Sequence, residues 1–179
     1  YAASVVASKL DLCGIVCESK APLDAHLKSD KVITEHFLRR DEAEKKLLGN
    51  PSFQSNIDIL NVENGASNNP EVFEWVRAIN PDIILLYGTS IIKPPMLDYY
   101  ENRIINLHLG LSPYYRGSGT NFWPLVDGLP ECVGATIHLA TLRVDAGNIL
   151  AQVRPENITI QDESHELGTK TIMVGFSRI

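Results

Sequence analysis

Three short apolar runs constrain the fold of this chain more than any other feature of its sequence. They are Cys13 to Cys17, Ile83 to Leu86, and the pair Ile104 and Ile105. Polar and apolar residues do not alternate within them, although they do alternate in a strand that has one face in water. Unbroken apolar runs are typical of strands that are covered on both faces. They therefore predict a sheet that lies between two layers of helices.

Strand-like and helix-like segments follow each other along most of the chain. The segments with strand character are Leu12 to Cys17, Ile57 to Val62, Asp82 to Tyr87, Arg103 to Leu107, Val133 to Leu139 and Ile149 to Val153. Helical patterns cover Leu27 to Leu48 and Pro70 to Ile79, and they end at Gly49 and Asn80. This order predicts an α/β fold with a doubly wound, mainly parallel sheet. The last two strands are joined by a short loop, so we expect an antiparallel component near the active site.

Both ends of the chain have helical rather than strand character. Tyr1 to Leu10 has a helix-like composition, and Glu166 to Phe176 looks like the front of a helix. With 179 residues the chain can form one compact core. We expect a single domain over residues 1–179 that lacks its first strand and its C-terminal end.

Composition narrows the class of function. The net charge is −6 and no block of Lys or Arg occurs, which argues against nucleic-acid binding because such binding neutralises many phosphates. The 3 cysteines lack the spacing of zinc ligands, so we expect reduced thiols, no metal and a cytoplasmic location. No apolar stretch approaches the ~20 residues that span a bilayer, so we expect no membrane partner.

The fourth predicted strand brings two polar side chains to one place. Asn106 and His108 are two residues apart, so they point to the same face of the strand. Leu109 to Pro113 then forms a loop at the carboxyl end of that strand, where open α/β sheets bind their ligands. A carboxylate, Asp145, lies in a Gly-containing loop between two later apolar runs. We expect Asn106, His108 and Asp145 to form the active site.

An amide, an imidazole and a carboxylate suit acyl transfer from a carbonyl to an amine. Asn106 and protonated His108 could donate hydrogen bonds to the oxyanion of the tetrahedral intermediate, and each such bond contributes roughly 10²–10³ in rate. Asp145 would favour the imidazolium and help to move the proton that the amine releases. A covalent serine hydrolase is disfavoured, because Ser112 lies outside a Gly-x-Ser-x-Gly motif.

These motifs resemble those of the folate-dependent formyltransferases. Residues 106–117, Asn-Leu-His-Leu-Gly-Leu-Ser-Pro-Tyr-Tyr-Arg-Gly, are similar to the family signature Asn-x-His-Pro-Ser-Leu-Leu-Pro-x-x-x-Gly. Gly134 to His138 resembles the family's Gly-x-Thr-x-His strand, and Asp145 follows that His at the spacing of the glycinamide-ribonucleotide enzymes. The likeness covers about residues 80–155, whereas residues 1–79 agree only in the order of strands and helices. It implies a Rossmann-like formyltransferase fold.

The resemblance also implies a role for each residue of the site. Asn106, His108 and Asp145 would polarise the formyl group of 10-formyltetrahydrofolate, the formyl donor, and manage protons. The substrate or supporting positions would be His138, Arg116 and Gly117. The residues that would contact the folate are Ile91, Ile92, Gly110, Leu111, Ser112, Pro113, Ala140 and Val144.

The resemblance leaves the amine acceptor open. Glycinamide-ribonucleotide, sugar and initiator-tRNA formyltransferases share these motifs, and we expect a small molecule such as an amino sugar nucleotide or glycinamide ribonucleotide, with tRNA not excluded. The alternative function is a formyltetrahydrofolate hydrolase or a noncatalytic folate-binding relative. A sheet edge exposed by a missing strand would favour a homodimer. An aromatic group is expected to pack in the core and its loops: Tyr114, Tyr115, Phe122 and Trp123.

Overall fold

The computed structural model of the protein describes residues 1–20, 30–49, 53 and 56–179. Two sheets are present in these residues. The first consists of the parallel strands β1 (Ile15–Glu18) and β2 (Ile59–Val62). The second has four strands in the order β3 (Ile84–Leu86), β4 (Ile104–His108), β5 (Ala135–Leu139) and β6 (Ile149–Val153).

Helices connect and cover these strands. They are α1 (Ala2–Ala7), α2 (Lys31–Leu48), α3 (Pro70–Ile79), α4 (Met96–Tyr99), α5 (Trp123–Val126) and α6 (Ser164–Arg178). Two single 3₁₀ turns lie at Ala66–Asn68 and Pro130–Cys132. Within the described residues, every helix is too short or too polar to cross a membrane.

The structure confirms the α/β class and each of the six predicted strands. β3 and β4 are parallel, whereas β5 is antiparallel to both β4 and β6. The predicted antiparallel component is therefore confirmed. It arises because the connection from β5 to β6 is too short to return the chain for a parallel crossover, which needs a dozen or more residues.

Helix ends lie where the sequence places capping residues. Asp30 accepts hydrogen bonds from the backbone N–H groups of Val32 and Ile33 at 2.8 and 3.3 Å, and α2 ends at Gly49, whose φ is 71°. The predicted start of this helix, residues 27–29, lies outside the described residues. α3 agrees with its prediction at both ends, since Pro70 opens it and Asn80 adopts a left-handed conformation after it.

The four-stranded sheet has an apolar core on each face. On one face Leu107, Ala135 and Ile137 pack with α1 and α6 in the first cluster, and on the other Ile104 packs with α3 and α4 in the second. Leu107 and Ile104 are three residues apart on β4, so their side chains point to opposite faces. The helix layers on both sides hold β4 and β5 in place, and the carboxyl end of β4 carries the candidate site.

Candidate active site

The antiparallel register of β4 and β5 pairs Asn106 with His138. Because directly opposed residues share one face of a sheet, the Asn106 Nδ2 and His138 Nε2 atoms lie 3.2 Å apart. The neighbouring cross-strand pair joins His108 to Thr136. Strand pairing alone therefore brings an amide and two imidazoles to the same end of the sheet.

Asp145 joins these groups from the loop between β5 and β6. Its Oδ1 atom accepts a hydrogen bond from Asn106 Nδ2 at 3.2 Å and lies 3.4 Å from His138 Nε2. Its Oδ2 atom lies 3.2 Å from His108 Nδ1 and accepts a hydrogen bond from the Gly117 N–H at 2.9 Å. The four side chains of Asn106, His108, His138 and Asp145 form one connected group, which we call the polar quartet.

The backbone of Asp145 is unusual. Its φ is 47°, in the left-handed region that Asp and Asn tolerate better than most residues. The loop can turn tightly after it because Gly147 lies against β5: a Cβ atom at Gly147 would be 1.7 Å from the Leu139 carbonyl oxygen. The Leu139 N–H donates to the Asn148 carbonyl at 3.0 Å, which closes the loop. These contacts aim the carboxylate back at the end of β4.

Burial and pairing act in opposite directions on the two titratable groups that face each other. Burial alone would raise the pKa of Asp145, but the hydrogen bonds from His138 and Gly117 lower it below its ordinary value. Burial alone would lower the pKa of His138, but Asp145 and the Leu139 carbonyl outweigh burial and raise it. The arrangement therefore favours a carboxylate beside an imidazolium.

His108 is held between two acceptors. Its Nδ1 faces Asp145, and its Nε2 lies 2.9 Å from the Tyr115 carbonyl oxygen. Gly110 makes room for this contact, because a Cβ atom there would be 2.5 Å from His108 Nε2 and 2.7 Å from the Tyr115 oxygen. A glycine is therefore required beneath the imidazole ring.

A buried hydroxyl supports the loop after β4. The Thr136 side chain accepts a hydrogen bond from the Ser112 N–H at 2.9 Å and donates to the Gly110 carbonyl at 2.6 Å. Gln152 donates to the Ser112 carbonyl at 2.6 Å, and the Ser112 hydroxyl donates to the Asp145 carbonyl at 3.2 Å. This layer links the loop after β4 to the loop that carries Asp145.

The quartet lies at the bottom of a cleft of about 940 Å³. Loops that follow β3, β4 and β5 form one side of it, over residues 87–92, 117–122 and 140–144. The opposite side is formed by α2 and the beginning of α6, which contribute His36, Arg40, Glu44 and His165. A cleft of this size can hold a cofactor or a drug-sized ligand.

The structure places some predicted folate residues in this cleft and others beneath it. Ile91, Ile92, Ala140 and Val144 border the cleft, as does Gly117. The side chain of Ile92 is largely buried and that of Ile91 is half-exposed, so Ile91 offers more apolar surface to the cleft than Ile92 does.

The remaining predicted folate residues lie away from the cleft surface. Gly110, Leu111 and Ser112 are buried in the supporting layer under the quartet, and Pro113 is exposed. None of these four borders the cleft among the described residues, and neither does Arg116.

The aromatic residues after the signature are more exposed than expected. Tyr114 is 80% exposed, and Phe122 and Trp123 are each 51% exposed. The prediction of core packing is therefore wrong for these three rings, and the segment that carries them includes the glycines at 117 and 119, both with positive φ. Phe122 borders the cleft and contacts Trp123 edge to face.

Two parts of the cleft were missed by sequence reasoning. One is the helical wall, where ring nitrogens of His36 and His165 lie at a distance of 3.0 Å. These two residues are separated by 129 positions in the sequence, so no local pattern links them. Glu18 was also missed, although it left a signal: it is the charged residue at the carboxyl end of β1. The rule that singled out Asn106 and His108 applies equally there.

Metal binding has no support in the described part of the chain, where no group of three or more His, Cys, Asp or Glu side chains is arranged as a ligand set. The quartet instead has its polar atoms paired with one another. What this arrangement provides is hydrogen-bond donors and a carboxylate that can hold a proton donor in place, which suits chemistry at a carbonyl group.

Comparisons with known proteins identify the family of this chain. The family model described as formyl transferase matches residues 4–175. The chain is 33% identical over 114 residues to a methionyl-tRNA formyltransferase of Finegoldia magna, an alignment that covers 62% of this chain and 36% of that enzyme. The chain thus spans about a third of the length of this curated relative.

Solved structures share the fold. A phosphoribosylglycinamide formyltransferase from Bacillus halodurans superimposes with a TM-score of 0.62 at 21% identity, covering 98% of this chain and 84% of that one. The formyltransferase PseJ from Anoxybacillus kamchatkensis, solved with a formamido sugar nucleotide and tetrahydrofolate, gives a TM-score of 0.52 at 22% identity, covering 92% of this chain and 73% of that one.

Proposed function

The chain belongs to the formyl transferase family, and on that premise we propose that it transfers a formyl group from 10-formyltetrahydrofolate to an amine. The observation that carries the proposal is the polar quartet at the bottom of the cleft. Its four side chains come from β4, β5 and the loop after β5, and three of them contact the carboxylate of Asp145 at 3.2–3.4 Å. We propose Asn106, His108 and Asp145 as the catalytic residues.

The hydrogen-bond donors of the quartet are already engaged by neighbouring groups. Asn106 Nδ2 faces Asp145 and His138, and the two ring nitrogens of His108 face Asp145 and the Tyr115 carbonyl. A formyl oxygen would therefore exchange for one of these contacts, several of which are long at 3.2–3.4 Å. Long hydrogen bonds that tighten only with bound substrate are common in unliganded active sites.

The proposed reaction needs one proton to leave and one to arrive. The amine nitrogen attacks the formyl carbon and loses a proton, and the bond from that carbon to N10 of the folate breaks as N10 gains a proton. In this proposal His108 carries the proton from the amine nitrogen to N10, and Asp145 stabilises the imidazolium form of His108. His138 faces the same carboxylate oxygen as Asn106, so we propose that it supports the orientation of Asp145.

The folate would lie along the loop side of the cleft. Ile91, Ile92, Ala140 and Val144 provide apolar and backbone surface there, which suits a flat pterin ring. Gly110, Leu111, Ser112 and Pro113 act in this proposal through the supporting layer rather than by direct contact, because they lie away from the cleft surface. Gly117 would lie on the substrate side, where it holds Asp145, whereas Arg116 lies away from the cleft surface and would support the loop that carries Gly117.

We propose a small-molecule amine as the acceptor. The net charge of −6 and the mixed charges of the helical wall, where Arg40 lies near Glu44, suit a compact ligand better than a phosphate backbone. An amino sugar nucleotide or glycinamide ribonucleotide fits this description. A second candidate is an aminoacyl-tRNA, which is favoured by the 33% identity to a methionyl-tRNA formyltransferase.

An acceptor screen tests the proposal. The chain is incubated with 10-formyltetrahydrofolate and, in separate reactions, glycinamide ribonucleotide, a 4-amino sugar nucleotide and methionyl-tRNA, and formylated product and tetrahydrofolate are both measured. We expect formylation of one small acceptor, and a loss of at least about 100-fold in kcat for His108→Ala. The control is His165→Ala, a cleft histidine whose described partner is His36, and it should retain activity.

Other outcomes would redirect or overturn the proposal. Formylation of methionyl-tRNA alone would replace the small acceptor with tRNA. Formate release at one rate with and without every amine would indicate a hydrolase. Full activity of a folded His108→Ala variant would contradict the assignment of the quartet as the catalytic group.

A further inference from the structure

Glu18 joins two loops to the end of β1 at one edge of the cleft. It is the last residue of β1, and its carboxylate reaches the loop after β2 and the loop after β3. Oε1 accepts from the Gly65 N–H at 2.5 Å and from the Ser90 hydroxyl. Oε2 accepts from the Ser67 hydroxyl at 2.5 Å and from the Ser90 N–H at 3.1 Å. One side chain thus links the two sheets that strand pairing leaves separate.

These contacts occupy the acceptor capacity of the carboxylate. Besides the four short bonds, Asn64 Nδ2 lies 3.5 Å from Oε1, and an ionised carboxylate offers about four acceptor positions. Burial alone would raise the pKa of Glu18, but the hydroxyl and backbone donors lower it to about 2. The group is therefore ionised at neutral pH, and its position favours holding protein loops together over binding a ligand or transferring a proton.

The loop that Glu18 holds through Ser90 carries part of the proposed folate surface. Ser90 directly precedes Ile91 and Ile92, which border the cleft. The other end of the segment is held by Asn68, whose Nδ2 donates to the Ile91 carbonyl at 2.9 Å and whose Oδ1 accepts from the Lys93 N–H at 2.7 Å. Ile92 is anchored in the second core cluster. Between these points, the position of Ile91 depends on Glu18 and Asn68.

We propose that Glu18 is a positioning residue for binding of the formyl donor: through Ser90 it fixes the loop that presents Ile91 and Ile92 to the folate ring. This inference rests on the proposed function. It predicts an effect on folate binding and little effect on the chemical step, because the four described donors to Glu18 come from the loops after β2 and β3 and not from the quartet.

The test compares Glu18→Gln with a matched control, Glu63→Gln. Glu63 directly follows β2 and does not border the cleft, and its carboxylate makes an exposed contact of 3.5 Å with the Ser19 hydroxyl. Each variant is titrated with 5-formyltetrahydrofolate, a stable isomer of the formyl donor, and assayed for KM and kcat with the best acceptor. Hydrogen exchange over residues 88–93 and thermal unfolding are measured alongside.

We expect Glu18→Gln to weaken binding and raise the KM for the formyl donor about tenfold, which is the effect of losing one hydrogen bond to a charged group. kcat at saturation should change less than about threefold, and exchange over residues 88–93 should accelerate. Glu63→Gln should match the parent in both. Ser90→Ala, which removes the hydroxyl alone, should raise the KM less and show non-additivity with Glu18→Gln.

Two results would overturn the inference. One is an unchanged KM and unchanged exchange in a folded Glu18→Gln variant, and the other is a fall in kcat without a change in KM. If the parent itself fails to bind 5-formyltetrahydrofolate, the proposed function fails. Faster exchange over residues 88–93 in Glu18→Gln would then still report whether Glu18 holds the loop.

Discussion

Asp145 and Glu18 are two cleft carboxylates with similar electrostatics and different partners. Both follow or end strands of the sheets, both border the cleft, and both have a pKa below the ordinary value. Asp145 faces His108 and His138, which can gain and lose protons, together with the amide of Asn106. Glu18 faces hydroxyl and backbone N–H groups, which do not titrate near neutral pH.

The partners therefore decide what each carboxylate can do. A carboxylate beside imidazoles changes the proton affinity of its neighbours, so it can take part in acid–base chemistry. A carboxylate among fixed donors can only accept hydrogen bonds, so Glu18 holds the loops after β2 and β3 to the end of β1. A lowered pKa of a cleft carboxylate is thus not a sufficient sign of catalysis, and the identity of its partners has to be considered with it.

The largest expected effect is a fall in kcat on substitution of Asp145. We propose that Asp145 acts in the chemical step, whereas Glu18 acts in binding of the formyl donor. Asp145→Asn should lower kcat by about 10²–10⁴, because it removes the charge that stabilises the imidazolium. The fold should survive, since Asn also tolerates the left-handed backbone at this position. The measurement is steady-state kinetics at saturating formyl donor, next to Glu18→Gln.

A carboxylate that pairs with a lysine outside the cleft provides the control. Asp162 accepts hydrogen bonds from Lys170 at 2.8–2.9 Å and does not border the cleft, so Asp162→Asn should leave kcat within about twofold. If Asp145→Asn retained full kcat, or if Glu18→Gln lost as much kcat as Asp145→Asn, the distinction between the two carboxylates would be lost.

The contacts of Asp145 could be predicted from the sequence to a larger extent than those of Glu18. Asn106 and His108 lie on one strand and could be placed on one face by period alone, and the short loop after β5 predicted an antiparallel component near the site. The contacts of His138 with Asn106 could not be predicted, because they depend on the register of β4 against β5. A register is set by pairing and packing, which a single strand pattern does not encode.

The surroundings of Glu18 could not be predicted in the same way. Its donors lie 47 to 72 positions away, at Gly65, Ser67 and Ser90, in turns whose sequences resemble those of any exposed loop. The helical wall of the cleft is a similar case, since it forms only when α2 packs on α6. Strand existence was predictable because it depends on local apolar runs, whereas these contacts depend on how distant loops meet.

A moderate loss of stability is expected when a hydrogen-bond donor to Glu18 is removed, because Glu18 holds loops of the protein together. Ser67 is 5% exposed and donates to Glu18 at 2.5 Å, so Ser67→Ala should reduce the free energy of unfolding by about 1–2 kcal/mol. The measurement is urea denaturation at neutral pH. Ser19→Ala serves as the control, because its hydroxyl makes an exposed contact of 3.5 Å to Glu63 and should cost less than about 0.5 kcal/mol. Equal losses would show that the Glu18 contacts are not special.

The smallest effect is a difference in how stability depends on pH. His138 has a raised pKa, so its contribution is present below the ordinary value of 6.5 and is lost as the pH rises through the folded value. Asp145 has a lowered pKa, so its contribution is present above 3.8 and is lost as the pH falls through the folded value. The stability difference between the parent and Asp145→Asn should therefore be largest between these limits and shrink as the pH rises above 6.5.

Glu18 should behave differently over the same range, because its partners do not titrate there. Its pKa is lowered to about 2 from 4.5, so the difference between the parent and Glu18→Gln should stay constant above pH 4.5 and decline only in acid. Both stability differences are measured by urea denaturation of the parent and the two variants from pH 5 to pH 9, in steps on the order of one pH unit. Parallel curves for Asp145→Asn and Glu18→Gln above neutral pH would mean that His138 and Asp145 do not share a proton equilibrium, and the quartet would then be a static hydrogen-bond network like the one around Glu18.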